Sequence, residues 1–276
     1  MSSSESRAEN VHAGKARPVV LFVGGTDSSK KAGLDADHDA CEAYGADALT
    51  VTSAITDQDL FEVRSVEERL MWEHKAAAVM MEAASGKAPV GALKFGLLPG
   101  VASIVEAARL IARVSHGSSP IPAVVDPVIR SSSGYRFWND REMVAVRDSL
   151  MVAGPILTPN LDELAELAWL DRNQIDESEE TRVRAAEALI YGGASAVVAK
   201  GGHGPAGAPV RDLVLEPGKN PVWIERPREA GKGIRGSGCR FAATLACALA
   251  EGHSLADAAE TAGAFVALRI REDSAT

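Results

Sequence analysis

The first patterned stretch of the chain, residues 18–25, reads Pro-Val-Val-Leu-Phe-Val-Gly-Gly, an unbroken apolar run closed by glycines. Such a run is expected of a strand buried on both faces. Similar runs recur at 48–55, 91–95, 123–128, 155–158 and 194–199. Helix-length amphipathic segments lie between and after them, at 32–44, 66–84, 101–114, 140–150, 162–170, 179–191, 239–251 and 254–271. Strand alternating with helix predicts βαβ units, hence an α/β fold with a mostly parallel central sheet and helices on both faces. Two short alternating runs, 212–215 and 222–225, joined through Glu216-Pro217-Gly218-Lys219, predict an antiparallel edge in the C-terminal third. No internal repeat or low-complexity linker divides the chain, so 17–272 reads as a single domain behind a disordered polar tail at 1–16.

Composition narrows the function more than the fold. The 276 residues are 46% apolar, 24% charged and 5% aromatic, as in ordinary globular proteins. A formal net charge of −9 repels phosphate backbones and anionic lipid, so neither nucleic acid nor a membrane is an expected partner. A small anionic ligand needs donors concentrated locally. Cys41, Cys239 and Cys247 are too few and too scattered for a disulfide set or a metal clamp, which implies a reducing, cytoplasmic setting. The first sixteen residues hold no signal-peptide apolar stretch, and no run approaches the ~18 apolar residues of a membrane span.

In open α/β sheets ligands bind beyond the carboxyl ends of the strands, so the loops there hold the candidate chemistry. The densest glycine stretch, Gly231-Lys-Gly-Ile-Arg-Gly-Ser-Gly-Cys239, leads directly into a helix. Glycines let backbone N–H groups converge, and a helix N-terminus favours negative charge, so the stretch suits a phosphate. Gly231, Gly233 and Gly236 also match G-x-G-x-x-G, but no strand runs into the match, and the chain has no Walker A pattern. Cys239 falls in the first helical turn, where the helix dipole would lower its pKa and make a base of it; a small buried apolar residue is the other reading. Thr158-Pro-Asn-Leu-Asp-Glu163 is a capping box by spacing, while its amide and carboxylate are also hard oxygen ligands suited to Mg²⁺. Asp126 ends a buried strand and needs a partner, a metal or solvent. Lys200, Gly201 and Gly202 end another strand, placing an ammonium and two glycines at the same edge. Gln58 carries an amide that can pair with an amino-substituted heteroaromatic ring, or be an ordinary loop glutamine.

Taken in order, these stretches resemble the ribokinase-like superfamily, and within it the hydroxymethylpyrimidine/phosphomethylpyrimidine kinases of thiamine biosynthesis. The resemblance rests on Gly25-Thr-Asp-Ser-Ser29 with Ala32-Gly-Leu-Asp-Ala-Asp37, Ala54-Ile-Thr-Asp-Gln58, Leu93-Lys-Phe-Gly-Leu-Leu98, Asp126-Pro-Val128, Thr158–Glu163, Lys200–His203 and Gly236-Ser-Gly-Cys239. It implies ATP-dependent, Mg²⁺-assisted phosphorylation of a pyrimidine alcohol or its phosphate by a homodimer, with a pyridoxal-type kinase or a lapsed ligand-binding relative as alternatives. It further implies Gly236, Ser237 and Gly238 as the anion hole and Cys239 as the catalytic base. Gln58, Asp27, Asp37 and Leu97 are implied at the substrate, Lys200, Gly202 and Asn160 at the nucleotide, and Glu163, Asn160 and Asp126 at the metal. Several positions depart from the family pattern. Lys30 and Lys31 stand where glycines are usual. Arg235 replaces a histidine, and Arg240 replaces a small hydroxyl residue. Ser132 stands where a lysine is common, with Arg130 as its expected substitute. Arg235 and Arg240 are expected to add positive charge beside the phosphates.

Overall fold

The computed structural model describes residues 16–274 apart from 29, 60, 87, 116–118, 205–206 and 231–232. The tail expected at 1–16 lies outside these except for its last residue, as does Gly231. Strand β1 (Val19–Asp27) is buried almost throughout and pairs in parallel with β2 (Asp47–Gln58) and β4 (Val90–Phe95). Its side chains alternate between two apolar layers: Val19, Leu21 and Val23 enter one, Val20 and Phe22 the other. That is why the run lacks polar alternation. The parallel ladder continues through β5 (Ala123–Val125), β6 (Ile156–Leu157) and β7 (Ala196–Ala199). Strands β8 (Val210–Leu215) and β9 (Val222–Arg226) form the expected antiparallel edge and β3 (Val63–Glu68) the opposite one, giving the order β3-β2-β1-β4-β5-β6-β7-β8-β9.

Helices α1 (Gly33–Tyr44), α8 (Ser237–Glu251) and α9 (Leu255–Ser274) bury one face of the sheet. The other is covered by α2 (Trp72–Ser85), α3 (Val101–Ser115), α4 (Asp140–Ala145), α5 (Leu161–Leu167), α6 (Arg172–Glu177) and α7 (Glu179–Tyr191). Among the described residues no helix is long and apolar enough to cross a membrane.

Four expectations need correction. Residues 66–84 are not one helix: β3 (Val63–Glu68) pairs antiparallel with β2, and α2 starts only at Trp72. An edge strand with one solvated side tolerates charge, and so β3 does not read as apolar. The strand expected at 123–128 stops at Val125, because Pro127 has no N–H to donate and the chain turns through Val128 N→Asp126 O at 2.8 Å. The helix expected at 162–170 ends at Leu167, with Trp169 in the left-handed region at φ 56°. Helix α4 loosens after Ala145 into a wider turn, Val146–Leu150. The unanticipated α6 begins at Asp171, whose side chain accepts from Asn173 N and whose own N–H is taken by Gln174.

Candidate active site

The carboxyl ends of the parallel strands open into a cleft of about 1080 Å³. Every site residue expected from the sequence lies on its wall: Gly236, Ser237, Gly238, Cys239, Gln58, Asp27, Asp37, Leu97, Lys200, Gly202, Asn160, Glu163 and Asp126. Backbone pairing brings them together. Thr158 N donates to Val125 O, Lys200 N donates to Pro159 O, and Asn160 bridges to Lys200, so the residues that end β5, β6 and β7 sit side by side.

The glycine turn is shaped by Gly236, at φ 75°, which precedes α8 without any side-chain cap. A Cβ there would stand 2.6 Å from Lys31 O, so only glycine fits. No side chain caps the first turn, and Ser237 N makes only a long bond to Ile234 O at 3.3 Å, which an anion can displace. A Cβ on Gly238 would lie 3.2 Å from Lys200 Nζ and 3.5 Å from Asp126 Oδ2, which sets the turn against an ammonium and a carboxylate.

On that side Lys200 Nζ donates to Asp126 Oδ1 at 2.7 Å, and the pair is largely buried. Burial opposes the Lys200 charge, but Asp126 and Glu163 outweigh it and hold the ammonium above the ordinary lysine range. Asn160 caps α5: its Oδ1 accepts from Asp162 N and Glu163 N, both at 2.9 Å, while Glu163 Oε2 accepts from Asn160 N at 2.8 Å. The capping box fixes Asn160 and Glu163 to one another at the cleft wall. Burial pushes the Glu163 carboxyl up to about 8; Lys200 pulls it down and Asp126 adds to the rise.

On the opposite side lie Asp27, Gln58 and Leu97. Gln58 Nε2 donates to Thr56 Oγ1 at 3.2 Å, and Ser53 Oγ fixes the Leu97 carbonyl at 2.6 Å. Asp37 differs from expectation: it has no exposure, and Lys94 Nζ donates to both its oxygens, at 2.8 and 2.9 Å. It braces the floor of the cleft. Burial pushes it up to about 6 against the pull of Lys94. Lys94 carried no role in the sequence reading. A lysine inside an otherwise apolar strand was the available signal, since such a charge needs a partner.

Cys239 also departs from expectation. The thiol is not lowered but pushed up to about 11, by burial first, with Lys94 opposing, Asp126 and Asp37 adding to the rise, and an N–H of Gly33 opposing. Desolvation and two carboxylates outweigh Lys94 and the Gly33 amide. Arg235 lines the cleft, and both arginines have protein partners. Arg235 Nη1 donates to Asp59 O at 2.6 Å and its Nη2 lies 3.5 Å from Asp27, while Arg240 Nε donates to Asp39 at 2.9 Å. Arg130 lines the cleft but pairs with Glu166 at 3.1 Å. Lys30 adopts φ 56°, so the turn that glycines would make without strain is made here with it.

Phosphoryl transfer asks for alignment and charge neutralisation more than for covalent chemistry. A cleft with uncapped helix amides, a buried ammonium and hard oxygen donors, at the carboxyl edge of this sheet, is that of a ribokinase-like small-molecule kinase. The sequence agrees at family level. A model described as phosphomethylpyrimidine kinase matches residues 27–276, and the chain belongs to that family of phosphotransferases. It is 34% identical over 251 residues to the hydroxymethylpyrimidine/phosphomethylpyrimidine kinase of Streptomyces coelicolor, covering 90% of this chain and 87% of that one. The enzyme of the same name from Bacillus subtilis is 29% identical, over 89% of this chain and 86% of its own. Among solved structures, the pyridoxal kinase from Staphylococcus aureus in complex with AMP-PCP and pyridoxal superposes with a TM-score of 0.75 at 28% identity, covering 92% of this chain and 88% of that one.

Proposed function

We propose that this protein transfers the terminal phosphoryl group of ATP to the hydroxymethyl group of 4-amino-5-hydroxymethyl-2-methylpyrimidine, or to the phosphate of the monophosphate so formed, in thiamine biosynthesis. The observation that carries the reading is that the Gly236–Gly238 turn, Cys239, Lys200, Asp126, Glu163 and Gln58 line one cleft, with Gly238 set against Lys200 and Asp126. The names of the Streptomyces coelicolor and Bacillus subtilis relatives support the choice of acceptor.

In this reading the amides hold the transferring group where charge develops, and one such donor is worth on the order of 3–4 kcal/mol. Lys200 adds positive charge at the same point, and Gln58 offers a donor and an acceptor to the aminopyrimidine edge. Asp126 and Glu163 fit Mg²⁺: both are hard oxygen donors on the cleft wall, close enough to act on one another's charge. When bound, the ion neutralises phosphate charge. The thiolate form of Cys239, a small fraction of a thiol pushed up to about 11, takes the alcohol proton late in transfer and becomes S–H, as a loose transition state permits. The reading includes a cytoplasmic homodimer, supported by free cysteines and by exposed Ile55, Leu70 and Met71 near one sheet edge.

The test is ADP release with aminopyrimidine, pyridoxal and sugar alcohols under one set of conditions. Turnover highest with the aminopyrimidine is expected. Turnover highest with pyridoxal transfers the protein to the alternative acceptor, and ligand binding without ADP release overturns the kinase reading.

A further inference from the structure

The anion-hole turn does not hold its own shape. Its N-cap is a glycine with no side-chain cap, and the hydrogen bond that closes it, Ser237 N→Ile234 O, is long at 3.3 Å. What grips the turn is a side chain from the first turn of α8. Arg240 Nη1 reaches back to the Arg235 carbonyl at 2.9 Å, and a Cβ on Gly236 would stand only 3.0 Å from that nitrogen. The turn is thus wedged between the Lys31 backbone and a guanidinium.

That guanidinium is itself anchored. Arg240 Nε donates to Asp39 Oδ2 at 2.9 Å, and the other Asp39 oxygen accepts from Arg269 Nη2 at 3.3 Å. Arg269 is fixed over the Phe265 ring at 5.1 Å and bonded to Glu272 at 3.0 Å. One carboxylate on α1 therefore ties α9 to the residue that fixes the turn. A cation in the first turn of a helix opposes the helix dipole. Arg240 sits there because Asp39 compensates it and because the fork spans two acceptors, which a lysine, with one nitrogen, cannot do in the same planar geometry.

We propose that Arg240, held by Asp39, is a positioning residue for phosphoryl transfer: by fixing the Arg235 carbonyl it sets the aim of the Gly236–Gly238 amides. This rests on the kinase reading above, and it gives the departure at Arg240 a role that charge beside the phosphates does not.

The experiment compares the full-length protein with Arg240→Met, Arg240→Lys, Asp39→Asn and the Arg240→Met/Asp39→Asn double variant. Steady-state kinetics are measured with ATP and the best acceptor, together with amide hydrogen exchange across the chain. Misaimed donors cost part of what a lost donor costs, so Arg240→Met is expected to lower kcat about ten- to hundredfold with the ATP KM moving less than about threefold. Asp39→Asn is expected to lower kcat less, Arg240→Lys to recover part of it, and the double variant to be no worse than Arg240→Met, since the two act in series. Exchange is expected to quicken within 233–241 and not elsewhere. Unchanged kcat, additive losses, or exchange quickened evenly over the whole chain overturns the proposal. If the unaltered protein turns over no alcohol, the kinase reading fails on its own; unchanged exchange at 233–241 in both Arg240→Met and Asp39→Asn still overturns the positioning role.

Discussion

Replacing Lys94 by Met removes the partner of a carboxylate that has no contact with solvent. Lys94 and Asp37 are both 0% exposed, and the ammonium donates to both carboxylate oxygens at 2.8 and 2.9 Å. Breaking such a pair from one side leaves a buried charge uncompensated and costs about 3–5 kcal/mol. Replacing both members by apolar residues of similar size removes that penalty, so Lys94→Met/Asp37→Leu should be more stable than Lys94→Met alone. Burial opposes the Lys94 charge, but Asp37, with Cys239 and Asp126, outweighs it and raises the pKa, so its contribution is full below the ordinary lysine pKa and lost as pH rises through the raised value. Asp37, already near 6, should rise further in Lys94→Met, and that variant should lose stability as pH rises through neutrality. Urea unfolding of the two single variants and the double variant at pH 7 gives the coupling. A loss below about 1 kcal/mol in both single variants, or strict additivity, refutes the reasoning.

Glu163→Gln keeps the acceptor that caps Asn160 N but removes a carboxyl raised from 4.5 to about 8. That carboxyl contributes stability fully below 4.5 and loses it as pH rises through 8, so the variant should gain up to about 5 kcal/mol over the parent at pH 9, none at pH 4, and lose Mg²⁺-dependent turnover; urea curves at both pH values check the first. With Cys239 near 11, its thiolate fraction grows about tenfold per pH unit below that value, so kcat should climb from pH 7 to 9 and Cys239→Ser should flatten the profile; a flat profile in the unaltered protein removes Cys239 from proton transfer. Lys30→Gly relieves a left-handed residue at φ 56° and should raise stability by up to about 1 kcal/mol, read as a shift of the urea midpoint without a change in slope.

The parallel core was legible because both faces of β1 are buried, so its apolar run needs no tertiary information to be recognised. The glycine turn was legible for a similar local reason: Gly236, Gly238 and the following apolar helix are contiguous in the chain. Strand β3 was not, because Val-Arg-Ser-Val-Glu-Glu becomes a strand only through its pairing with β2. The state of Cys239 was hidden too: the helix end is visible in sequence, while Asp126 and Asp37, which oppose it, arrive from other elements. Lys94 meets Asp37 across 57 positions and Arg240 meets Asp39 across 201, so neither pair leaves a local signature. The departures at Arg235 and Arg240 were visible as residues, but their partners decide whether they face a phosphate or a carboxylate. The left-handed Lys30 shows the converse, a backbone state imposed by the turn on a residue that does not favour it.

The central claim is that the amides of Gly236, Ser237 and Gly238 grip the phosphoryl group in flight. A crystal structure with AMP-PCP and the aminopyrimidine alcohol tests it directly. The terminal phosphoryl is expected about 3 Å from those amides, between Lys200 and the acceptor oxygen beside Cys239. A terminal phosphoryl bound elsewhere in the cleft, with the turn contacting only solvent, would contradict it.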